Sequence, residues 1–158
     1  MLPPPPGAGS AGRAVTLHLS ADTQTLDAPL VFDASTKASE VWLIGDGATL
    51  QFGQRRRLVP QAIEPLLNVS VGAPRIYVRG LVLRGQVVIS GGELFLDNCT
   101  FAGSNADDGG ALLLLSGSVH ASDVSFVGCS ARRGGAALVA LFDEELVNVS
   151  GSDLLRVP

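Results

Sequence analysis

The stretch from Leu94 to Val139 carries one pattern of apolar and polar positions twice. LFLDNCTFAGSNADDGGALLL, from Leu94, aligns with VHASDVSFVGCSARRGGAALV, from Val119, at an offset of 25 positions, so that Phe101 matches Phe126. Within each copy the apolar residues alternate with polar ones in short runs, which predicts strands. One copy alone has no partner for its apolar face, so the repeat is a unit that stacks on its neighbours.

A third copy precedes these two. IYVRGLVLRG, from Ile76, aligns with LFLDNCTFAG, from Leu94, at an offset of 18, and it lacks only the loop that residues 104–108 add. Turn formers separate the short runs, but no Asn-Gly or Asp-Gly hairpin punctuates them regularly. The pattern therefore favours a winding chain, in which each strand pairs in parallel with its equivalent one coil away.

Two motifs carry a resemblance to a known fold. Gly-Gly-Ala followed by an aliphatic residue occurs at 109–112 and, with one extra Ala, at 134–138, while Ser104 and Cys129 stand where an FxxN motif would have Asn. The chain resembles right-handed parallel β-helix proteins of the pectate-lyase-like fold. It is most similar to their repeat-rich, often non-enzymatic members of the polymorphic outer-membrane-protein type. The resemblance implies an all-β solenoid of about five coils of 18–25 residues.

The domain organisation follows from length and local composition. A chain of 158 residues is long enough for one domain and short for two. Residues 1–14 are rich in Pro, Gly and Ala and are predicted to be a disordered leader. Residues 15–158 are predicted to form a single β-helix domain, which could be a fragment of a longer solenoid. Residues 53–65, which include Arg55 to Arg57, break the repeat. They are a candidate functional loop, and the alternative is a solvent-exposed loop without a function of its own.

Charge and hydropathy exclude some function classes. The net charge is −4, with 46% hydrophobic and 16% charged residues, so a nucleic-acid partner is not expected. No apolar run is long enough to cross a bilayer, and no signal peptide is visible, because prolines follow Met1 and Leu2. An extracellular or cell-surface location is favoured if the chain is part of a longer secreted protein.

Three N-glycosylation sequons occur, at Asn68, Asn98 and Asn148. Asn98 also lies at a predicted bend, where Asn is favoured because its backbone tolerates positive φ. Glycosylation and a purely structural role of these residues are both open from the sequence.

The acidic pair Asp107 and Asp108 is the main candidate for catalysis. In the resembled fold, polysaccharide hydrolases and lyases use clustered Asp residues with Arg or Lys nearby, as acid and base or as Ca²⁺ ligands. Here, however, the pair aligns with Arg132 and Arg133 of the next repeat, which predicts ion pairs between coils. The other landmarks of those hydrolases, Asn-Thr-Asp, His-Gly and Arg-x-Lys, are absent from the sequence.

The remaining candidates are aromatic residues and cysteines. Tyr77 and Phe95 occupy one repeat position and could stack as a two-rung ladder that binds sugar, and Trp42 is the other aromatic residue expected to point outward. Cys99 lies at an interior position and Cys129 at a bend, five positions out of register, so a disulfide is disfavoured. No spacing joins the two histidines to the cysteines, and neither a metal nor a cofactor is predicted.

These observations support two hypotheses from different classes. The first is a non-catalytic structural or interaction module of a surface or secreted protein, which binds a protein partner or itself through an open C-terminal coil. The alternative is a carbohydrate-active enzyme, a polysaccharide lyase or hydrolase, or a carbohydrate-binding β-helix, with a polysaccharide as the partner.

Overall fold

The described part of the chain is all-β. The structure, a computed structural model, describes residues 13–52 and 64–139, without the side chains of 138 and 139, and contains no helix there. Its strands are β1 (Ala14–Leu19), β2 (Thr23–Leu26), β3 (Leu30–Phe32), β4 (Glu40–Phe52), β5 (Leu67–Val69), β6 (Arg75–Arg84), β7 (Val87–Asp97), β8 (Thr100–Ala102), β9 (Asn105–Asp108), β10 (Leu112–Ser122), β11 (Ser125–Val127), β12 (Ser130–Arg133) and β13 (Ala137–Val139). The all-β prediction is confirmed.

Eleven of these strands form one parallel sheet, curled into a half-barrel. Its main path runs β1-β4-β6-β7-β10-β13, and β2, β3, β5, β8 and β11 pair alongside it. The remaining two, β9 and β12, form a separate two-stranded parallel sheet. Parallel pairing follows from the repeat, because equivalent strands of successive copies run in the same direction.

The pairings fall into three stacks of strands. One stack contains β1, the first halves of β4 and β6, and the second halves of β7 and β10. The next contains β2, the second halves of β4 and β6, then β8 and β11. The third contains β3, β5, the first halves of β7 and β10, and β13. The long strands therefore bend from one stack to the next, which curls the sheet.

The register agrees with the repeat offsets in the sequence. Leu94 pairs with Val119 at an offset of 25, and Ile76 pairs with Leu94 at an offset of 18. Both offsets are therefore confirmed. Residues 40–52 form one strand, β4, whose register with β6 shifts between Ile44 and Ala48.

One bend recurs at the same position in three repeats. Gly80, Asn98 and Asp123 occupy it with φ values of 66°, 49° and 53°. Positive φ suits Gly, Asn and Asp better than other residues. The choice of residue at this bend is thus explained by backbone conformation.

The core consists of side chains that stack from repeat to repeat inside the curled sheet. The buried column Val41, Ile76, Leu94 and Val119 is one example. Phe101, which is fully buried, stacks on Phe126 with ring centroids 5.1 Å apart. Along β6, β7 and β10 the core residues alternate with outward-facing ones within each stack, as the period-2 pattern predicts.

Candidate functional site

The acidic pair lies on the small side sheet. Asp107 and Asp108 end β9, and β12 pairs with β9 so that Arg133 faces Asp108. The sequence predicts a loop here, because four of the five residues from 104 to 108 are turn formers. That interpretation is wrong, since parallel pairing with β12 holds residues 105–108 extended. Successive residues of a strand point to opposite faces, so the two carboxylates diverge.

Each carboxylate has an arginine one repeat away, as the alignment predicts. Arg133 Nη2 donates a 2.7 Å hydrogen bond to Asp108 Oδ2. Arg133 Nε lies 2.5 Å from Oδ1, although it is not aligned for a hydrogen bond to that atom. The second pair, Arg132 and Asp107, is looser, with Nη1 4.0 Å from Oδ1 and both side chains largely exposed. Exposed pairs of this kind contribute about 0–1 kcal/mol each.

Two buried polar side chains attach this region to the main sheet. Gln86 Nε2 donates to the carbonyl oxygens of Asp108 and Gly109, at 2.5 and 2.9 Å. Ser104 Oγ donates to the carbonyl of Gly85 and accepts from its N–H, both at 3.0 Å. Neither contact is predicted from the sequence, which singles out Ser104 only as the residue at the Asn position of an FxxN motif and does not single out Gln86. A polar residue directly before the apolar run Val87–Ile89 was the available signal for Gln86.

The aromatic ladder is longer than the two rungs that the sequence predicts. Trp42 stacks on Tyr77 with centroids 4.0 Å apart, Tyr77 on Phe95 at 4.6 Å, and Phe95 on His120 at 4.6 Å. The interplanar angles are 7°, 14° and 9°. The four rings occupy one register column of the first stack, on the side opposite the core column of Val41 and its equivalents.

The expectation that these rings are open to solvent is wrong for two of them. Trp42 is 1% exposed and Tyr77 5%, whereas Phe95 and His120 are half-buried. Tyr77 and Phe95 are the two inner rings of the ladder, and each has both of its faces covered by neighbouring rings. A sugar that stacks on an aromatic residue needs a free ring face, so Tyr77 and Phe95 do not form an open platform.

Ion pairs flank the ladder on both sides. Arg75 Nε donates to Glu93 Oε2 at 2.9 Å, and Arg79 Nε donates to Asp97 Oδ2 at 2.8 Å, the latter partly buried. The hydrogen bond that Arg75 donates to Glu93, together with the negative charge of Glu93, raises the pKa of Arg75. Burial, followed by the negative charge of Glu40, raises the pKa of Tyr77. The charges on this face are thus balanced between neighbouring coils.

The sequons differ in environment. Asn98 is exposed at its bend. Asn68 lies on the outward side of β5 between Val31 and Val88, half-buried, and its Oδ1 is buried without a hydrogen-bond partner in the described structure. Asn148 lies outside the described residues, as do Arg55 to Arg57, the predicted leader up to residue 12, and the C-terminal coil.

No other chemistry gathers in the part of the chain that the structure describes. Cys99 is buried and Cys129 half-buried, and both are free thiols. No group of His, Cys, Asp or Glu residues between 13 and 52 or between 64 and 139 could hold a metal ion. Within the same ranges, no helix is long and apolar enough to cross a membrane.

Comparison with known proteins adds no relative: no family model, no curated protein and no solved structure significantly matches this chain.

Proposed function

We propose that this chain is a non-catalytic structural or interaction module of a surface or secreted protein. The observation that carries the proposal is the pairing of Asp107 and Asp108 with Arg132 and Arg133 across two repeats. Charged groups that satisfy one another between coils hold the surface of a solenoid together. Within the pair, neither Asp107 nor Asp108 is then left without an arginine beside it.

We further propose that the curled sheet is the wall of a right-handed parallel β-helix of about five coils of 18–25 residues. Three stacks of parallel strands, offsets that follow the repeat, and a recurrent bend at Gly80, Asn98 and Asp123 support this architecture. A solenoid of this kind presents long, regular faces, which suit binding to another macromolecule.

The geometry of the acidic pair argues against glycoside hydrolysis. Two catalytic carboxylates must face one glycosidic bond, about 5–9.5 Å apart. Asp107 and Asp108 are neighbours on β9 and diverge from its two faces. Asp108 is also held in a two-point contact with Arg133. A Ca²⁺ site of the lyase type would need both carboxylates to converge, which the strand geometry opposes.

The test is a double substitution, Asp107→Asn with Asp108→Asn, assayed beside the unchanged chain. Both proteins are incubated with polygalacturonate and with neutral glucans, and reducing ends and unsaturated products are measured. We expect no more product from either protein than from a buffer blank, and a stability loss of no more than about 2 kcal/mol, because each of the two ion pairs contributes about 0–1 kcal/mol.

The control is Asp123→Asn, which changes an exposed acid outside the pair. Cleavage by the unchanged chain and by this control, abolished by the double substitution, would show that the chain is a carbohydrate-active enzyme.

A further inference from the structure

The first three strands form an open edge of the curled sheet. Among the described residues, β1 and β2 pair only with β4, and β3 pairs only with β5. The backbone N–H and C=O groups on their other side are therefore available for pairing with a further strand.

The core is uncovered at this edge. Val15 and Leu17 of β1 are 37% and 46% exposed, yet they occupy the same register columns as Val41 and Leu43, which are 3% and 1% exposed. Their side chains take core positions, and no strand within residues 13–52 and 64–139 covers them. Covering them would remove apolar surface from water, which favours association.

The edge also lacks the features that usually prevent strand addition. The three strands read AVTLHL, TQTL and LVF, with no charged residue and no proline. The pairing of β1 with β4 runs from Ala14 to Leu19 without a bulge. Open edges are normally protected by Lys, Pro or a bulge, so this edge is suited to accept a strand.

We propose that β1 pairs antiparallel with β1 of a second copy of this chain, about a two-fold axis at Leu17. In this register Leu17 lies opposite its own equivalent, Val15 opposite Leu19, and Thr16 opposite His18. Apolar side chains then meet on the core side and polar ones on the outer side. A continuous sheet forms across the two molecules.

A second copy fits the edge better than a partner of different chemistry. The strand offers no charge that would select a charged segment, whereas its alternation is self-complementary about Leu17. The inference rests on the proposed interaction module and names its partner. Its test is independent of any polysaccharide assay.

Light scattering of the full chain over a range of concentrations measures the pairing. We expect a reversible dimer, and Leu17→Lys should raise its dissociation constant about tenfold or more, because two like charges would then lie opposite each other. Val31→Lys is the matched control: Val31 is 52% exposed on the same coil but faces outward, so the dimer should be unchanged. A monomer at every concentration, or equal effects of the two substitutions, would overturn the proposal.

Cross-linking decides the question if Leu17→Lys fails to fold. In a Cys129→Ser background, Leu17→Cys should form a disulfide-linked dimer under mild oxidation, since the two introduced thiols meet at the axis. Val31→Cys should not. Equal cross-linking of the two variants contradicts the register. A monomeric chain without polysaccharide cleavage overturns only the pairing, and a dimer that cleaves polysaccharide overturns only the proposed function.

Discussion

The carbonyl oxygen of Gly45 occupies the space that a Cβ at Gly80, on the neighbouring repeat, would need. A side chain at Gly80 would overlap that oxygen, and Gly80 also has a φ of +66°. Gly103 has nearly the same φ, +64°, but nothing within 4 Å of the place where a Cβ would be. The two glycines thus share one backbone conformation and differ in the space around them.

We expect Gly80→Ala to destabilise the protein more than Gly103→Ala. Gly103→Ala loses only the free energy needed to hold an alanine in the left-handed backbone conformation, about 1–2 kcal/mol. The first adds a clash between coils, about 1–3 kcal/mol more. Urea unfolding of both variants measures the difference. Equal losses would show that the close approach of the coils at Gly45 is not maintained in solution.

Replacing Asn68 by Val should stabilise the protein. Its buried Oδ1 has no hydrogen-bond partner within the described structure, and its neighbours on the outer face are Val31 and Val88. An unsatisfied buried polar group costs about 1–3 kcal/mol, so we expect Asn68→Val to raise the melting temperature. Asn68→Asp is the opposite control and should lower it. A lower melting temperature for Asn68→Val would mean that Oδ1 has a partner.

Of the two described sequons, we expect Asn98 to carry a glycan when the chain is secreted from eukaryotic cells behind an added signal peptide. Asn98 is exposed, whereas Asn68 is half-buried in a strand. Asn98→Asp removes the sequon at Asn98 without straining the bend, because Asp123 occupies the equivalent position with a φ of 53°.

Enzymatic removal of glycans and peptide mapping give the occupancy. Asn98→Asp should abolish modification of this site, and Asn68→Val should leave it unchanged. A glycan mapped to Asn68 alone would contradict the expected order.

The two cysteines should differ in reactivity. Burial raises the pKa of the Cys99 thiol, whereas Cys129 is half-buried. A disulfide-exchange reagent at neutral pH should therefore label one thiol in the folded chain and two after unfolding. Cys129→Ser should leave none reactive in the folded state. Fast labelling of both native thiols would contradict the burial of Cys99.

The raised pKa of Cys99 also sets the sign of its pH dependence. The folded state holds the thiol proton more tightly than the unfolded chain does. This thiol therefore favours unfolding only as the pH rises above its ordinary pKa of 9.0, and its effect grows until the pH passes the raised value.

Parallel pairing and register were predictable from the sequence, because they depend on the alignment of one repeat with the next. The strand at residues 105–108 was not, because its residues carry no alternation of apolar and polar positions. Leu94 faces Val119 for this reason, and Arg133 faces Asp108. Stacking of Tyr77 on Phe95 was predictable in the same way. In each case two residues at one repeat position must become neighbours once the coils stack.

Exposure and direction were decided only by the tertiary structure, because they depend on atoms from several coils at once. The sequence shows Trp42 as an isolated aromatic residue, whereas in the structure it is 1% exposed and clusters with Ile44, Tyr77 and Phe95. It shows Asp107 and Asp108 as a pair, whereas pairing of β9 with β12 turns them to opposite faces. It shows Val15 and Leu17 as an ordinary strand, and only the position of β1 at the edge of the sheet leaves them uncovered.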